Sequence, residues 1–340
     1  MRKACLRIAF TLAAGIVFCG ASLAKTARPL RIFFIDVEGG QSTLIVTPSG
    51  KSVLIDAGFK GDRDANRILA AAHAAQLKQF DYVLITHYHE DHVGGVPELL
   101  KKIKVGIFVD HGPNKEDSDS TRANYSAYEQ AIAHSHRMQL KPGQGLPFKD
   151  VAFRLIAGAG EVISEPLPGA GEANRYCDSE PPAPDDASEN AQSLGVLITY
   201  GRFQFLDLGD LVEKKGLELM CPNNLVGTVD LYLTTHHGLA PDNPKALVWA
   251  VHPRVAIMNN GAHKGGNAEA WQIVHDSPGL AGFWQLHYAV DAGSDHNVKD
   301  DFIANVNDTD GNFIEVTAEP DGSFTVLNSR NGYSRRYGSE

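Results

Sequence analysis

The stretch HYHEDHVGG, residues 87–95, places three histidines and two acids within six positions. The residues before it, DYVLITH at 81–87, have the apolar pattern of a buried strand that ends on His87. Residues two apart on extended backbone point the same way, so His87 and His89 are expected on one side of the chain. Asp91 and His92 follow, where two glycines indicate a turn into a helix. Four possible ligands therefore converge at the end of one strand.

This combination of side chains is typical of a metal site. Imidazole with carboxylate is a usual ligand set for Zn²⁺, and it also suits Mn²⁺ or Fe²⁺. One pair of ligands cannot easily fold back to join the other on a single tetrahedral ion, so the spacing favours two ions. A polar surface loop is the alternative interpretation, and it would be preferred for a lone His-x-His but not for His-x-His-x-Asp-His at a strand end.

The rest of the chain alternates strand-like and helix-like segments, which indicates one α/β domain. Strands are predicted at 31–37, 42–48, 52–58, 81–87, 105–110, 151–158, 194–200, 201–210, 229–238, 254–260 and 283–288. Helices are predicted at 63–78, 95–103, 121–140, 212–220, 243–251 and 268–276. The segment 159–190 is rich in Gly, Pro, Glu and Asp and is predicted to be a loop insertion. Residues 312–330 are predicted to form a β-hairpin around a Pro-Asp-Gly turn.

The first residues have the pattern of a secretory signal. Three basic residues precede an apolar run at 8–20, and small residues then lead to a cleavage site after Ala24. Residues 1–24 are therefore predicted to be a signal peptide, which places the mature protein in the periplasm or outside the cell, with no membrane span after cleavage. An uncleaved anchor helix is the alternative interpretation, but the apolar run is short for a bilayer. The remaining cysteines, Cys177 and Cys221, could pair in such an oxidising compartment, but the sequence leaves that pairing open.

The charge balance bears on the choice of partner. The formal net charge is −10, and removal of three positive charges with the signal segment takes it to −13. A protein this acidic repels phosphate backbones overall, so long nucleic acid is disfavoured as a partner. A local basic cleft is not excluded by this argument, and a small molecule or a phosphoester is the expected substrate.

Four motifs together resemble the metallo-β-lactamase fold superfamily. They are LIDAG at 54–58, HYHEDH at 87–92, FLDLGD at 205–210 and TTHHG at 234–238. With NAQSLGVLITYGRFQFLDLGD at 190–210, they most resemble the metallo-hydrolase domain of the ComEC competence-channel family, over roughly residues 31 to 260. The resemblance implies a four-layer αββα sandwich with metals at one edge. It suggests a hydrolase domain at 31–290, with the insertion at 159–190, and a C-terminal extension at 291–340 that contains the hairpin.

The resemblance also implies a ligand set. His87 and His89 would hold the first ion, and Asp91, His92 and His237 the second. Asp210 would bridge the two ions, and Asp56 would orient a ligand imidazole through its other nitrogen. His236 is the alternative to His237, which is preferred because it stands before the glycine of the motif.

One departure from many members of the superfamily concerns a further histidine ligand. The motif around residues 190–193 contains none, so Asn190 and Ser193 either line the site or cap the loop that enters the next strand. His111 and His263 each follow a predicted strand and could meet substrate, and Lys264 could stabilise an anionic group.

The expected function is that of a secreted, dinuclear metal-dependent hydrolase. Two divalent ions, with Zn²⁺ preferred over Mn²⁺ or Fe²⁺, would generate a bridging hydroxide, and Asp91 would orient it as the catalytic residue. The bridging carboxylate resembles the phosphodiesterase side of the superfamily, which favours phosphoesters as substrates. The alternatives are a β-lactam or lactone hydrolase, or a non-catalytic periplasmic module that assists uptake.

Overall fold

The computed structural model of the chain describes residues 28–307 and 309–339. The predicted signal peptide, residues 1–24, lies outside the described residues. Among the residues that are described, no helix combines the length and the apolar character that a bilayer crossing requires.

Eighteen strands form two sheets within the described residues. The strands are β1 (Leu30–Ile35), β2 (Thr43–Val46), β3 (Ser52–Ile55), β4 (Gln79–Leu84), β5 (Lys104–Asp110), β6 (His136–Gln139), β7 (Gly145–Leu146), β8 (Ala152–Gly158), β9 (Glu161–Val162), β10 (Gly195–Tyr200), β11 (Phe203–Asp207), β12 (Leu231–Leu233), β13 (Val255–Met258), β14 (Gly282–His287), β15 (Ile303–Asn305), β16 (Phe313–Ala318), β17 (Phe324–Asn328) and β18 (Ser334–Tyr337).

The helices lie between these strands, as the alternating pattern predicts. They are α1 (Asp62–Ala74), α2 (Glu90–Val93), α3 (Val96–Leu100), α4 (Asp119–Ile132), α5 (Glu213–Met220), α6 (Lys245–Val251) and α7 (Ala268–His275).

Each sheet mixes antiparallel and parallel pairs. The first sheet has the order β18-β17-β16-β1-β2-β3-β4-β5-β6, in which β3 to β6 are parallel. The second has the order β15-β14-β13-β12-β11-β10-β8-β7, with β9 paired to β8, and β11 to β15 are parallel. Carboxyl ends of parallel strands meet at one edge of a sheet, so loops after β4, β11 and β12 can meet across the sandwich.

The residue alternation within each strand explains the layers. In β1, Ile32 and Phe34 pack between the two sheets, whereas Phe33 packs on the opposite face against the layer of α1, α3 and α4. The second sheet likewise covers its outer face with α5, α6 and α7. Helices thus cover the outer face of each sheet, and the predicted αββα sandwich is confirmed.

The C-terminal residues belong to the sandwich itself. The predicted hairpin corresponds to β16 and β17, which pair antiparallel, and β16 also pairs with β1 from the other end of the chain. Together with β15 and β18, the segment 291–340 supplies four strands to the two sheets. The sandwich therefore continues past residue 290, where a C-terminal extension was expected to begin.

One predicted helix is shorter than expected. The pattern predicts a helix over 121–140, but α4 ends at Ile132 and β6 occupies His136–Gln139. β6 is a polar strand at the edge of its sheet, with half-exposed or exposed side chains, so it lacks the apolar alternation by which strands are recognised.

The insertion at 159–190 has little regular structure and is tied to the second sheet layer. It contains β9 and two short 3₁₀ turns at Cys177–Ser179 and Glu189–Gln192. A disulfide joins Cys177 to Cys221, which follows α5, with the two Cα atoms 5.8 Å apart. This bond answers the pairing question that the sequence leaves open.

We expect the disulfide to stabilise the fold by restricting the unfolded chain. The two cysteines are 44 positions apart, so replacing both with serine should lower the free energy of unfolding by about 2–4 kcal/mol. Denaturant unfolding of the wild type and the double serine variant measures the difference. A reductant should lower the wild-type midpoint and leave the variant unchanged; equal midpoints for the oxidised wild type and the variant would contradict this expectation.

Candidate metal centre

The signature loop leaves the first sheet at the edge that faces the second. β4 ends at Leu84, and the Ile85 amide still donates to Val109 of the neighbouring strand. His87 follows as a fully buried side chain, and His89 stands at the start of α2 in extended backbone. Asp91 and His92 therefore sit in the first turn of a helix and are aimed back at the strand ends.

Four side chains from three loops bring their donor atoms together. They are Asp91, His92, Asp210 and His237, and one ligand atom from each lies within 4.8 Å of the others. The Asp210 Oδ2 atom is 3.1 Å from His92 Nε2 and 3.2 Å from His237 Nε2. His237 Nε2 is also 3.1 Å from Asp91 Oδ2. This set of buried imidazoles and carboxylates fits a metal site.

The backbone is held in an uncommon conformation where it supplies two of these side chains. Gly209, just before Asp210, has φ of 56°, and the consecutive residues His236 and His237 have φ of 51° and 55°. Left-handed backbone costs a residue with a β-carbon about 1–2 kcal/mol. The fold bears this cost at both histidines, and the result is that His237 points into the cluster.

The two histidines expected at the first ion lie at the rim of this group. His87 Nε2 is 3.9 Å from Asp210 Oδ2. Within the described part of the chain, neither His87 Nε2 nor Asp210 Oδ1 has a hydrogen-bond partner, although both atoms are buried. Unpaired buried polar atoms are costly, and a cation between them would use both. His89, by contrast, turns its Nε2 atom to Glu116 Oε2 at 2.8 Å.

Asp56 lies against the second imidazole of the signature. Its Oδ2 atom is 2.7 Å from His92 Nδ1, and the Thr86 backbone amide and hydroxyl both donate to the same carboxylate. His92 Nδ1 therefore donates to Asp56, and its Nε2 atom faces Asp210 at 3.1 Å. This is the arrangement in which a carboxylate orients a ligand imidazole.

Charge in the site is balanced among neighbours that are shielded from water. Burial raises the pKa of Asp210, but the His237 and His92 imidazoles outweigh that effect and hold the pKa well below the ordinary range. Burial of His87 lowers its pKa well below the ordinary value, so this imidazole is neutral, as a metal ligand must be. Both groups are in the protonation state that binds a cation.

His236 is closer to the cluster than the motif suggests. Its Nε2 atom is 3.4 Å from Asp210 Oδ2, and its Nδ1 atom is 2.5 Å from Asp242 Oδ2. Asn190 Nδ2 lies 3.5 Å from His236 Nε2. His237 has the more central position, and the choice between the two as ligand stays a prediction.

The other sequence candidates divide between the site and the surface. Ser193 Oγ lies 3.4 Å from His87 Nδ1, and Lys264 Nζ contacts Asp91 Oδ2. His263 is 65% exposed and pairs with Asp291. His111 Nε2 lies 2.8 Å from Glu189 and is not one of the four clustered side chains.

Sequence reasoning missed two acids beside the signature loop. Glu116 contacts His89, and the fully buried Glu189 accepts hydrogen bonds from the Tyr88 and Lys115 amides. Glu189 directly precedes Asn190, so its place next to a site motif was the available signal. Glu116 follows β5 at the same edge of the sheet as the candidate metal centre, as His111 does, but a single acid in a polar loop is not a recognisable sequence signal.

A second group of possible cation ligands lies near the start of the chain. Asp36, Glu38 and His287 bring donor atoms within 4.8 Å of one another. Arg67 Nη1 is 3.0 Å from both carboxylates, so a guanidinium already balances their charge. We therefore assign no ion to this group.

Asp207 shows how strongly this edge is dehydrated. Its carboxylate accepts hydrogen bonds from the Gln41 side chain and the Gly209 amide, each at 3.0 Å. Burial nevertheless raises its pKa from 3.8 to about 7. The folded protein therefore binds a proton here that the unfolded chain releases between about pH 4 and pH 7.

This shift predicts a pH effect on stability. An acid whose pKa is raised by folding stabilises the fold below its unfolded pKa, and that contribution is lost as pH rises through the folded value. Asp207→Asn should remove a decline of up to about 1.4 kcal/mol per pH unit between pH 4 and 7. Denaturant unfolding at several pH values, compared with the wild type, measures the slope. Parallel curves for the two proteins would contradict the assignment.

Comparison with known proteins gives one family match. Residues 35–174 match the model of the Metallo-beta-lactamase superfamily. ComE operon protein 3 of Bacillus subtilis (strain 168) is 26% identical over 191 residues, which cover 55% of this chain and 21% of that protein. Recombination protein 2 of Haemophilus influenzae is 23% identical over 229 residues, which cover 67% of this chain and 24% of that protein. The chain thus spans under a quarter of the length of these two relatives.

Among solved structures, the metallo-beta-lactamase fold protein YhfI from Bacillus subtilis is similar. It is 12% identical, with a TM-score of 0.46, and the alignment covers 76% of this chain and 95% of that one.

Proposed function

We propose that this chain carries a metal-dependent hydrolase domain of the metallo-β-lactamase superfamily, whose model matches residues 35–174, and that it cleaves phosphoesters with the help of two divalent cations. The observation that supports the proposal most is the position of Asp210. A single carboxylate oxygen faces His92 and His237 at 3.1 and 3.2 Å and His87 at 3.9 Å. One acid therefore reaches imidazoles that belong to both expected ion sites.

The ligand assignment is the one that the four motifs imply. His87 and His89 would hold the first ion, Asp91, His92 and His237 would hold the second, and Asp210 would be shared. Zn²⁺ suits this set of imidazoles and carboxylates best, and Mn²⁺ or Fe²⁺ are the alternatives. When bound, such a pair of cations lowers the pKa of a water and neutralises negative charge on the phosphoryl group.

The remaining steps belong to side chains of the protein. Asp91 is the catalytic residue, because its carboxylate lies between His237 and Lys264 and can accept a hydrogen bond from the attacking water. Lys264 is 42% exposed and presents a positive charge at the mouth of the site. That charge favours an anionic substrate over a neutral lactone. Asp56 keeps the His92 imidazole in one orientation through the whole reaction.

We place the mature protein in the periplasm or outside the cell. The disulfide between Cys177 and Cys221 supports this location, because such bonds persist in oxidising compartments. The basic and apolar pattern of residues 1–24 supports it from the sequence.

A substrate panel tests the proposed activity. The purified protein, loaded with Zn²⁺ or Mn²⁺, should hydrolyse bis(p-nitrophenyl) phosphate, and His237→Ala and Asp210→Ala should each reduce turnover to the background rate. His73→Ala changes an exposed histidine on α1 and should retain wild-type turnover. Turnover of nitrocefin or a lactone alone would overturn the phosphoester assignment. Bound metal with no turnover of any substrate would indicate a non-catalytic module.

Lys264 gives a second test, directed at substrate charge. Lys264→Met should raise KM for the phosphodiester about tenfold, which corresponds to about 1.4 kcal/mol of binding. The difference should shrink at high salt, because exposed charges are screened. Lys104→Met, at an exposed position in β5, is the control. An unchanged KM for Lys264→Met would remove this residue from the substrate site.

A further inference from the structure

The carboxylate of Glu116 engages one ring nitrogen of His89 and leaves the other available. Glu116 Oε2 is 2.8 Å from His89 Nε2. We propose that Glu116 is a positioning residue that makes His89 bind the first ion through Nδ1, whereas His87 binds it through Nε2. This inference rests on the proposed two-ion function and adds a residue that neither the signature nor its spacing contains.

The contacts of Glu116 determine which atom carries the hydrogen. Its two carboxylate oxygens already accept hydrogen bonds from the Glu189 amide and from the Thr121 hydroxyl, each at 3.0 Å. An ionised carboxylate only accepts hydrogen bonds. His89 Nε2 is therefore the donor, and in the neutral imidazole the lone pair is on Nδ1.

The neighbouring histidines follow the same rule with the opposite nitrogen. His92 directs Nδ1 to Asp56 at 2.7 Å and keeps Nε2 for Asp210. His87 directs Nδ1 to the Thr86 hydroxyl at 3.1 Å, and its Nε2 atom is buried and has no hydrogen-bond partner in the described ranges. In both imidazoles a polar side chain occupies Nδ1, and Nε2 faces the Asp210 carboxylate of the candidate metal centre. Glu116 does for His89 what Asp56 does for His92.

Glu116 is itself held from two directions. The Glu189 amide donates to Oε2 at 3.0 Å, and the Thr121 hydroxyl donates to Oε1 at 3.0 Å. Its backbone is fixed by Asn114, whose side chain accepts from the Glu116 amide and donates to its carbonyl. The carboxylate cannot turn away from His89 without breaking these bonds.

Glu189, at the end of the insertion at 159–190, holds the loop that carries Glu116 in place. The Glu189 carboxylate accepts hydrogen bonds from the Lys115 amide at 2.7 Å and the Tyr88 amide at 3.2 Å. It also lies 2.8 Å from His111 Nε2. This fully buried acid fastens the loop that carries Glu116 to the residue between His87 and His89.

Two measurements test the assignment. In metal-free protein at about pH 8, where a free imidazole is neutral, long-range ¹H–¹⁵N spectra should show His89 as the Nε2–H tautomer in the wild type and as a tautomer mixture in Glu116→Ala. In a chelator competition with Zn²⁺, Glu116→Ala should weaken the first ion about 10- to 100-fold and leave the second within about twofold. Glu116→Gln keeps an acceptor oxygen and should restore most of the affinity.

Controls separate this inference from the proposed function. Glu269→Ala, at an exposed position in α7, should bind both ions like the wild type. If the wild type itself binds only one ion, the two-ion function fails. If the wild type binds two ions and Glu116→Ala binds both with unchanged affinity, or if His89 in the wild type carries its proton on Nδ1, the role of Glu116 is wrong. Thermal unfolding of each variant shows whether a loss of metal reflects a loss of fold.

Discussion

The candidate metal centre depends on carboxylates that are buried beside imidazoles at a dehydrated edge. Asp210 is 2% exposed, and one of its oxygens has no hydrogen-bond partner among the described residues. An ionised carboxylate away from water is expensive unless opposite charge or hydrogen bonds compensate. The histidines compensate in part, and a cation would complete the balance. Burial of these carboxylates destabilises the protein without an ion, and it strengthens their attraction for a divalent ion.

The sandwich makes such a site possible because it holds three strand ends rigidly. β4, β11 and β12 are flanked on both sides by other strands, and their apolar residues are buried on both faces. The loops that follow them are therefore fixed at their origin. Left-handed backbone at His236 and His237 can persist there because the surrounding structure leaves the chain no alternative.

The sequence predicted the fold and the main cluster well, for identifiable reasons. Buried strands such as β4 and β13 are largely apolar runs, and the candidate ligands lie in short motifs with fixed spacing. β6 was not predicted, because a polar edge strand has no apolar alternation in its sequence. Two tertiary contacts were also not predicted: the pairing of β16 with β1, and the contact between Glu116 and His89. Neither hydrophobic periodicity nor a short motif shows which distant residues will contact each other in the fold.

The position of β1 has a consequence for how the chain acquires its structure. β1 pairs with β2 on one side and with β16 on the other, and the Arg31–Glu315 ion pair joins residues 284 positions apart. Closing so long a loop costs conformational entropy before the strand pairing can stabilise it. Topologies rich in distant contacts therefore fold slowly. The first sheet cannot be completed until nearly the whole polypeptide has emerged. During synthesis, one side of β1 therefore remains an open template for pairing.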